Sequence, residues 1–157
     1  MLSFNECWRI IEGSSQGKNF NLWGKSGVGK TFTVKNLLKE IQVESVYLDL
    51  EYPFDLNMLF QVIPISFGIY YQQNWFNIVE QISSKNRVLV IDNFDRLSQV
   101  SDNFNEDLYS LYRLAKSDKL SIILLSRMHL RHFHFSYFHE LFQDLELTEQ
   151  NTWKFGV

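Results

Sequence analysis

Apolar and polar positions along this chain follow two rhythms. Short runs dense in Val, Ile and Leu alternate with longer stretches whose apolar residues recur at three and four. The runs predict strands at Asn19–Trp23, Ser45–Leu50, Val88–Ile91 and Ser121–Leu125, with a last short one at Leu145–Leu147. Val88–Ile91 and Ser121–Leu125 are apolar almost throughout, the signature of parallel strands covered on both faces. The helical spacing predicts Phe4–Ile11, Lys30–Ile41, Phe54–Val62, Trp75–Ile82 and Asn105–Ala115. Phe32, Leu37, Leu38 and Ile41 are expected on the inner face of the second of these. Leu56, Leu59 and Phe60 are expected inside the third, and Leu108, Leu111, Tyr112 and Ala115 inside the last. Strands alternating with helices predict an α/β domain with a mostly parallel sheet and helices on both faces.

Composition bounds this picture without changing it. The 157 residues suit one domain, expected over 1–157, with the core strands falling between about 19 and 147. Hydrophobic residues at 45% and charged residues at 21% describe a chain that can bury a core. Phe occurs 14 times against a single Ala, Ala115, which reads as a compositional bias. The net charge of −3 excludes a wholly basic nucleic-acid binder but leaves room for a local basic patch. Cys7 has no second cysteine to pair with. The first residues lack a signal-peptide layout, and the most apolar run, Val62–Tyr71, is interrupted by Pro64, Ser66 and Gly68. No membrane association is expected, and the protein is expected inside the cell.

The chemistry concentrates just after the first strand. Gly24-Lys25-Ser26-Gly27-Val28-Gly29-Lys30-Thr31 fits the phosphate-loop pattern G-x-x-x-x-G-K-[ST] at every fixed position. It lies between a strand and a helix, as its mechanism requires. The glycines allow a concave backbone whose N–H groups face phosphate oxygens, and the helix start adds positive potential. Lys30 is the expected partner of the β- and γ-phosphates, and Thr31 the expected ligand of Mg²⁺. Val88–Ile91 then runs into Asp92, a carboxylate at a strand's C-terminal end, where open α/β sheets bind ligands. Asp92 is the expected second Mg²⁺ group. A nucleotide with Mg²⁺ is thus the expected ligand, and these residues leave ATP or GTP open.

The order of these segments resembles the AAA+ ATPases of the origin recognition complex and Cdc6 group. The phosphate loop through Thr33, the strand Val46-Tyr47-Leu48-Asp49-Leu50-Glu51 and the acidic segment Val90-Ile91-Asp92-Asn93-Phe94-Asp95-Arg96-Leu97 carry the likeness, which is greatest to subunit 5 of that complex. The resemblance implies a three-layer, RecA-like AAA+ core that binds ATP within a hetero-oligomeric ring of AAA+ subunits. DNA would be engaged through that assembly, in the nucleus for a eukaryotic initiator and otherwise in the cytoplasm. Family members continue into a helical lid, and residues 148–157 are expected to start one, with the lid itself absent. AAA+ enzymes usually place Glu after the strand aspartate to activate water; here the residue is Asn93, which cannot accept a proton. Hydrolysis is therefore expected to be weak or absent, and Asp95 is expected to point elsewhere. Ser126, at the end of its strand, takes the position of the family's γ-phosphate sensor, with an N-cap as the alternative.

Beyond Ser126, Arg127, His129, Arg131, His132 and His134 interleave with Phe133, Phe135 and Tyr137. This stretch reads as a packed connector, a nucleic-acid or subunit contact, or a metal site; the last lacks ligands at metal spacing. Arg131 is a candidate arginine finger for a neighbouring subunit. The competing functions are an active P-loop NTPase of a related class (helicase loader, transposition regulator or STAND-type switch) and a scaffold that binds no nucleotide. Asn93 argues against the first and the intact phosphate loop against the second.

Overall fold

A computed structural model of the chain describes residues 12, 18–40, 42–50, 56–69, 74–99, 111–130 and 140–148. The strands are β1 (Asn19–Trp23), β2 (Glu44–Asp49), β3 (Arg87–Asp92), β4 (Leu120–Ser126) and β5 (Phe142–Glu146). They form one sheet in the order β2-β3-β4-β1-β5, with every pairing parallel. The helices are α1 (Lys30–Glu40), α2 (Leu56–Ser66) and α3 (Trp75–Ile82), with further helical residues at 111–115 and a 3₁₀ segment at Phe94–Gln99. The expected Phe4–Ile11 helix and the start of the Asn105–Ala115 helix lie outside the described residues, as do residues 149–157.

The central strands explain their own composition. Every residue of β3 and β4 is buried. Side chains alternate between the two faces of a strand, and here both faces are covered. Leu89, Ile91, Ile122 and Leu124 pack with Leu59, Ile63, Ile82, Leu111 and Leu114 on one face. Val88, Val90, Ile123 and Leu125 pack with Val34 and Leu37 of α1 on the other. The result is a three-layer αβα sandwich. β2 and β5, at the sheet edges, keep exposed positions.

Two buried asparagines fasten β1 between its neighbours. Asn19 donates to Ala115 O at 2.7 Å and accepts from Ile122 N at 2.8 Å. Asn21, fully buried, donates to Asp144 Oδ1 at 2.8 Å and Met128 O at 3.2 Å. Buried polar groups without partners are costly, so these bonds lock the register of β1.

Three expectations need correction. Helix α2 runs four residues past Val62, through Pro64. It ends where Gly68, at φ 78°, adopts the left-handed conformation, with Ile69 N on Pro64 O and Gly68 N on Ile65 O. That is a glycine-terminated helix end, and the proline costs only one N–H bond near the last turn. The last strand lies at Phe142–Glu146 rather than Leu145–Leu147 because pairing to β1, not apolar content, sets its limits. Finally, Phe32 is 53% exposed. The inner face of α1 is Thr33, Val34 and Leu37, and Phe32 sits roughly opposite Val34 at 100° per residue.

Candidate functional site

All strands are parallel, so their C-terminal ends share one rim, and the phosphate loop, Asp92 and Ser126 meet there. Gly24 opens the loop under close constraint. Its N–H donates to Ser126 O at 3.1 Å, and a Cβ on Gly24 would lie 2.3 Å from Leu147 O. Only glycine fits between β4 and the end of β5. Gly27 (φ 85°) and Gly29 (φ 91°) take left-handed conformations that bend the loop around Lys25, Ser26 and Val28. Lys30 Nζ reaches back into the loop, donating to Gly24 O at 2.6 Å and Lys25 O at 2.8 Å. Burial lowers the Lys30 pKa, the carboxylates of Asp92 and Asp95 work against that, and Arg127 lowers it further.

Strand alternation sets the direction of Asp92. It continues the face of Val88 and Val90, the α1 side, and so meets the first turn of that helix. Thr31 Oγ1 donates to Asp92 Oδ2 at 2.7 Å. The Tyr47 hydroxyl donates to the same oxygen, and Asn93 N donates to Oδ1 at 2.8 Å. Burial and this bond raise the Tyr47 pKa well above 10, so the phenol stays protonated. Lys35 lies over the Tyr47 ring at 5.0 Å.

Ser26, Gly27, Gly29, Lys30, Thr31 and Asp92 line a cleft of about 490 Å³ together with Phe32, Asn93, Asp95, Leu125, Ser126 and Arg127. A left-handed loop closed on a lysine is built for phosphate oxygens. A hydroxyl beside a carboxylate is an oxygen donor pair suited to a hard divalent cation. The residues present thus fit a Mg²⁺-nucleotide.

Asn93, Asp95 and Ser126 take unexpected positions. Asn93 has φ 58°, and its Nδ2 donates to Asp49 Oδ1 at 2.7 Å, which turns the amide toward the β2 edge. Asp95, expected to point away, is instead 2% exposed and lines the cleft. It accepts from Arg127 Nε at 2.8 Å. The Ser126 hydroxyl lies 2.7 Å from Met128 O and 3.0 Å from Asn21 Oδ1. It follows the face of Ile122 and Leu124, away from α1. His129 is 3.5 Å from Asp144 and edge-on to Trp23, outside this cleft. Arg131, His132 and His134 lie outside the described residues. No group of three or more His, Cys, Asp or Glu side chains arranged for a metal occurs among the described residues.

A family model described as an AAA domain matches residues 14–133. The chain belongs to the AAA domain family. Its fold is that of an α/β P-loop NTPase core. No curated protein matches this AAA chain by sequence. Among solved structures, it is similar to a chain of Drosophila ORC bound to DNA, with 21% identity and a TM-score of 0.66 over 92% of this chain and 42% of the other. The Aeropyrum pernix ORC1 protein in complex with DNA gives 16% identity and a TM-score of 0.70 over 94% and 46%. Cdc6p from Pyrobaculum aerophilum gives 14% identity and a TM-score of 0.67 over 90% and 43%. At these identities the likeness is one of fold. The chain spans less than half the length of each of these three relatives. No helix among the described residues is long and apolar enough to cross a membrane.

Sequence reasoning passed over Tyr47 and grouped Arg127 with the basic stretch that follows it rather than with the cleft it lines. Tyr47 looked like an ordinary strand aromatic, and only the pairing of Leu48 with Ile91 and Asp49 with Asp92 brings its hydroxyl to the carboxylate.

Proposed function

We propose that this AAA domain binds ATP with Mg²⁺ and serves as a nucleotide-binding subunit of a replication-initiator assembly, with little hydrolysis of its own. The carrying observation is the junction of Lys30, Thr31 and Asp92 at the mouth of a left-handed glycine loop. Lys30 and the loop N–H groups would bind phosphate; Thr31 and Asp92 would hold Mg²⁺, which would neutralise phosphate charge. The fold likeness to ORC and Cdc6 structures supports the initiator role. Other AAA+ subunits and, through them, DNA are the partners this reading implies, with subunit 5 of the origin recognition complex the finer assignment. A eukaryotic protein of this kind would work in the nucleus.

Weak hydrolysis rests on Asn93. Its amide cannot take a proton, and at the cleft wall its Nδ2 is already bonded to Asp49. The alternative, an active NTPase of a related class, has one observation in its favour: the Asp95 carboxylate lines the cleft. Titration of the purified chain with a fluorescent ATP analogue tests binding. Saturable, Mg²⁺-dependent binding that weakens at least roughly tenfold in Lys30→Ala is expected, since charge-assisted bonds to phosphate are lost. No binding by the parent chain would reject the proposal. A phosphate-release assay separates the alternatives: turnover at an ordinary enzymatic rate that vanishes in Asp95→Asn favours the active NTPase. Co-purification with other initiator subunits from the native cell tests the assembly role.

A further inference from the structure

Tyr47 is not among the residues that line the cleft, yet its hydroxyl meets a carboxylate that does. β2 pairs with β3 so that Tyr47 lies opposite Val90 and Asp49 opposite Asp92. Tyr47 is therefore the diagonal neighbour of Asp92 on one face of the sheet, the α1 side. Diagonal neighbours stand about 7–8 Å apart, a gap within reach of an aromatic side chain. The Tyr47 ring packs with the cluster that holds Val34 and Leu37, and Lys35 Nζ lies 5.0 Å from its centroid. Those contacts hold the ring while the hydroxyl donates to Asp92 Oδ2. Packing alone asks for no hydroxyl here, since phenylalanine would fill the same space.

The carboxylate of Asp92 is buried and bonded through both oxygens. Thr31 Oγ1 and the Tyr47 hydroxyl donate to Oδ2, and Asn93 N donates to Oδ1. Such a group cannot turn about its Cβ–Cγ bond without breaking one of these contacts. Two hydroxyls on Oδ2 keep that oxygen beside Thr31, the other member of the expected Mg²⁺ pair. Without the Tyr47 donor, the orientation depends on Thr31 and Asn93 alone. Lys30 is then a competitor, because its charge lies within electrostatic reach of Asp92. Hydrogen-bond partners of a metal-binding carboxylate commonly set metal affinity by about 10–100-fold.

We propose that Tyr47 is a positioning residue for Mg²⁺, holding Asp92 in the orientation that binds the metal. The proposal rests on Mg²⁺-nucleotide binding as read above. The test is equilibrium affinity for a fluorescent ATP analogue, measured in EDTA and in saturating Mg²⁺. The ratio of the two is the gain due to the metal. It is compared in the parent chain, in Tyr47→Phe, and in Asp92→Asn with and without Y47F. Y47F should lower the gain by roughly tenfold, the loss of one outer partner of a metal ligand. Affinity in EDTA should stay within about twofold, because the loop and Lys30 are untouched; this also shows that Y47F is folded. D92N should lower the gain as well, and adding Y47F to it should change nothing further, since the two act as one unit. A gain unmoved in Y47F overturns the role of Tyr47. So does an equal loss with and without metal, or an undiminished effect of Y47F in the D92N background. In each of these cases a parent chain that binds the analogue more tightly with Mg²⁺ leaves the nucleotide-binding reading standing. If the parent chain binds no analogue, that reading fails and this proposal with it.

Discussion

Tyr47→Phe isolates a single hydroxyl at the centre of the site. Asp92 is 4% exposed and has three donors: Thr31 and Tyr47 on Oδ2 and the Asn93 N–H on Oδ1. Phenylalanine keeps the ring against Lys35 and removes one donor from a buried carboxylate. A hydrogen bond to a charged group contributes about 1.5–3 kcal/mol. Tyr47 is only half-buried, so solvent screens part of this, and about 1–2 kcal/mol is expected. For a chain of this size that lowers Tm by about 3–6 °C. The loss also has a pH signature. Folding raises the Tyr47 pKa above its unfolded value of about 10. The stabilisation is therefore complete below pH 10 and erodes as pH climbs toward the folded-state pKa. Urea melts followed by circular dichroism, from about pH 7 to pH 11, measure it. The gap between the parent chain and Y47F should stay constant to about pH 9 and narrow above 10. A gap under about 0.5 kcal/mol, or one that does not narrow, would refute a hydrogen-bonded Tyr47–Asp92 pair.

Other consequences are equally direct. Asn19→Leu strands Ile122 N and Ala115 O inside the protein. A loss of about 2–4 kcal/mol by urea melt is expected, from two buried groups at about 1–3 kcal/mol each less the gain from apolar burial. Asn93→Ala should be less stable than Asn93→Gly by about 1 kcal/mol, because φ 58° strains alanine while glycine adopts it freely. Equal stabilities would argue against the left-handed turn. Arg87 beside Glu44 holds that carboxyl below its usual range. Glu44 is 39% exposed, so Glu44→Gln should cost only a few tenths of a kcal/mol. The depressed pKa means that this stability is present above about pH 4.5 and lost as pH falls through the folded value. Parent and variant melts should therefore converge near about pH 3.

What the sequence determined by itself is what depends on local spacing. The phosphate loop needs fixed residues within eight positions between a strand and a helix, and Asp92 needs an apolar strand before it. Both could be read without knowing what lies opposite. The burial of β3 and β4 on both faces was equally plain from their unbroken apolar runs. Helix facing was less secure: Phe32 looked internal beside Leu37 and Leu38, but the contact with the sheet is made through Thr33, Val34 and Leu37.

Tertiary structure alone decided which polar groups meet. Asn21 and Ser126 are 105 residues apart and share a hydrogen bond only because β1 pairs with β4. That pairing ties the serine hydroxyl into the network with Asn21, although Ser126 and Arg127 both line the cleft. Tyr47 reaches Asp92 because the β2–β3 register aligns their strands, and Asp95 turns inward because the 3₁₀ segment after Asn93 carries it back to Arg127. Each contact depends on register between distant strands or on the direction of a turn, neither of which a residue's sequence neighbours specify.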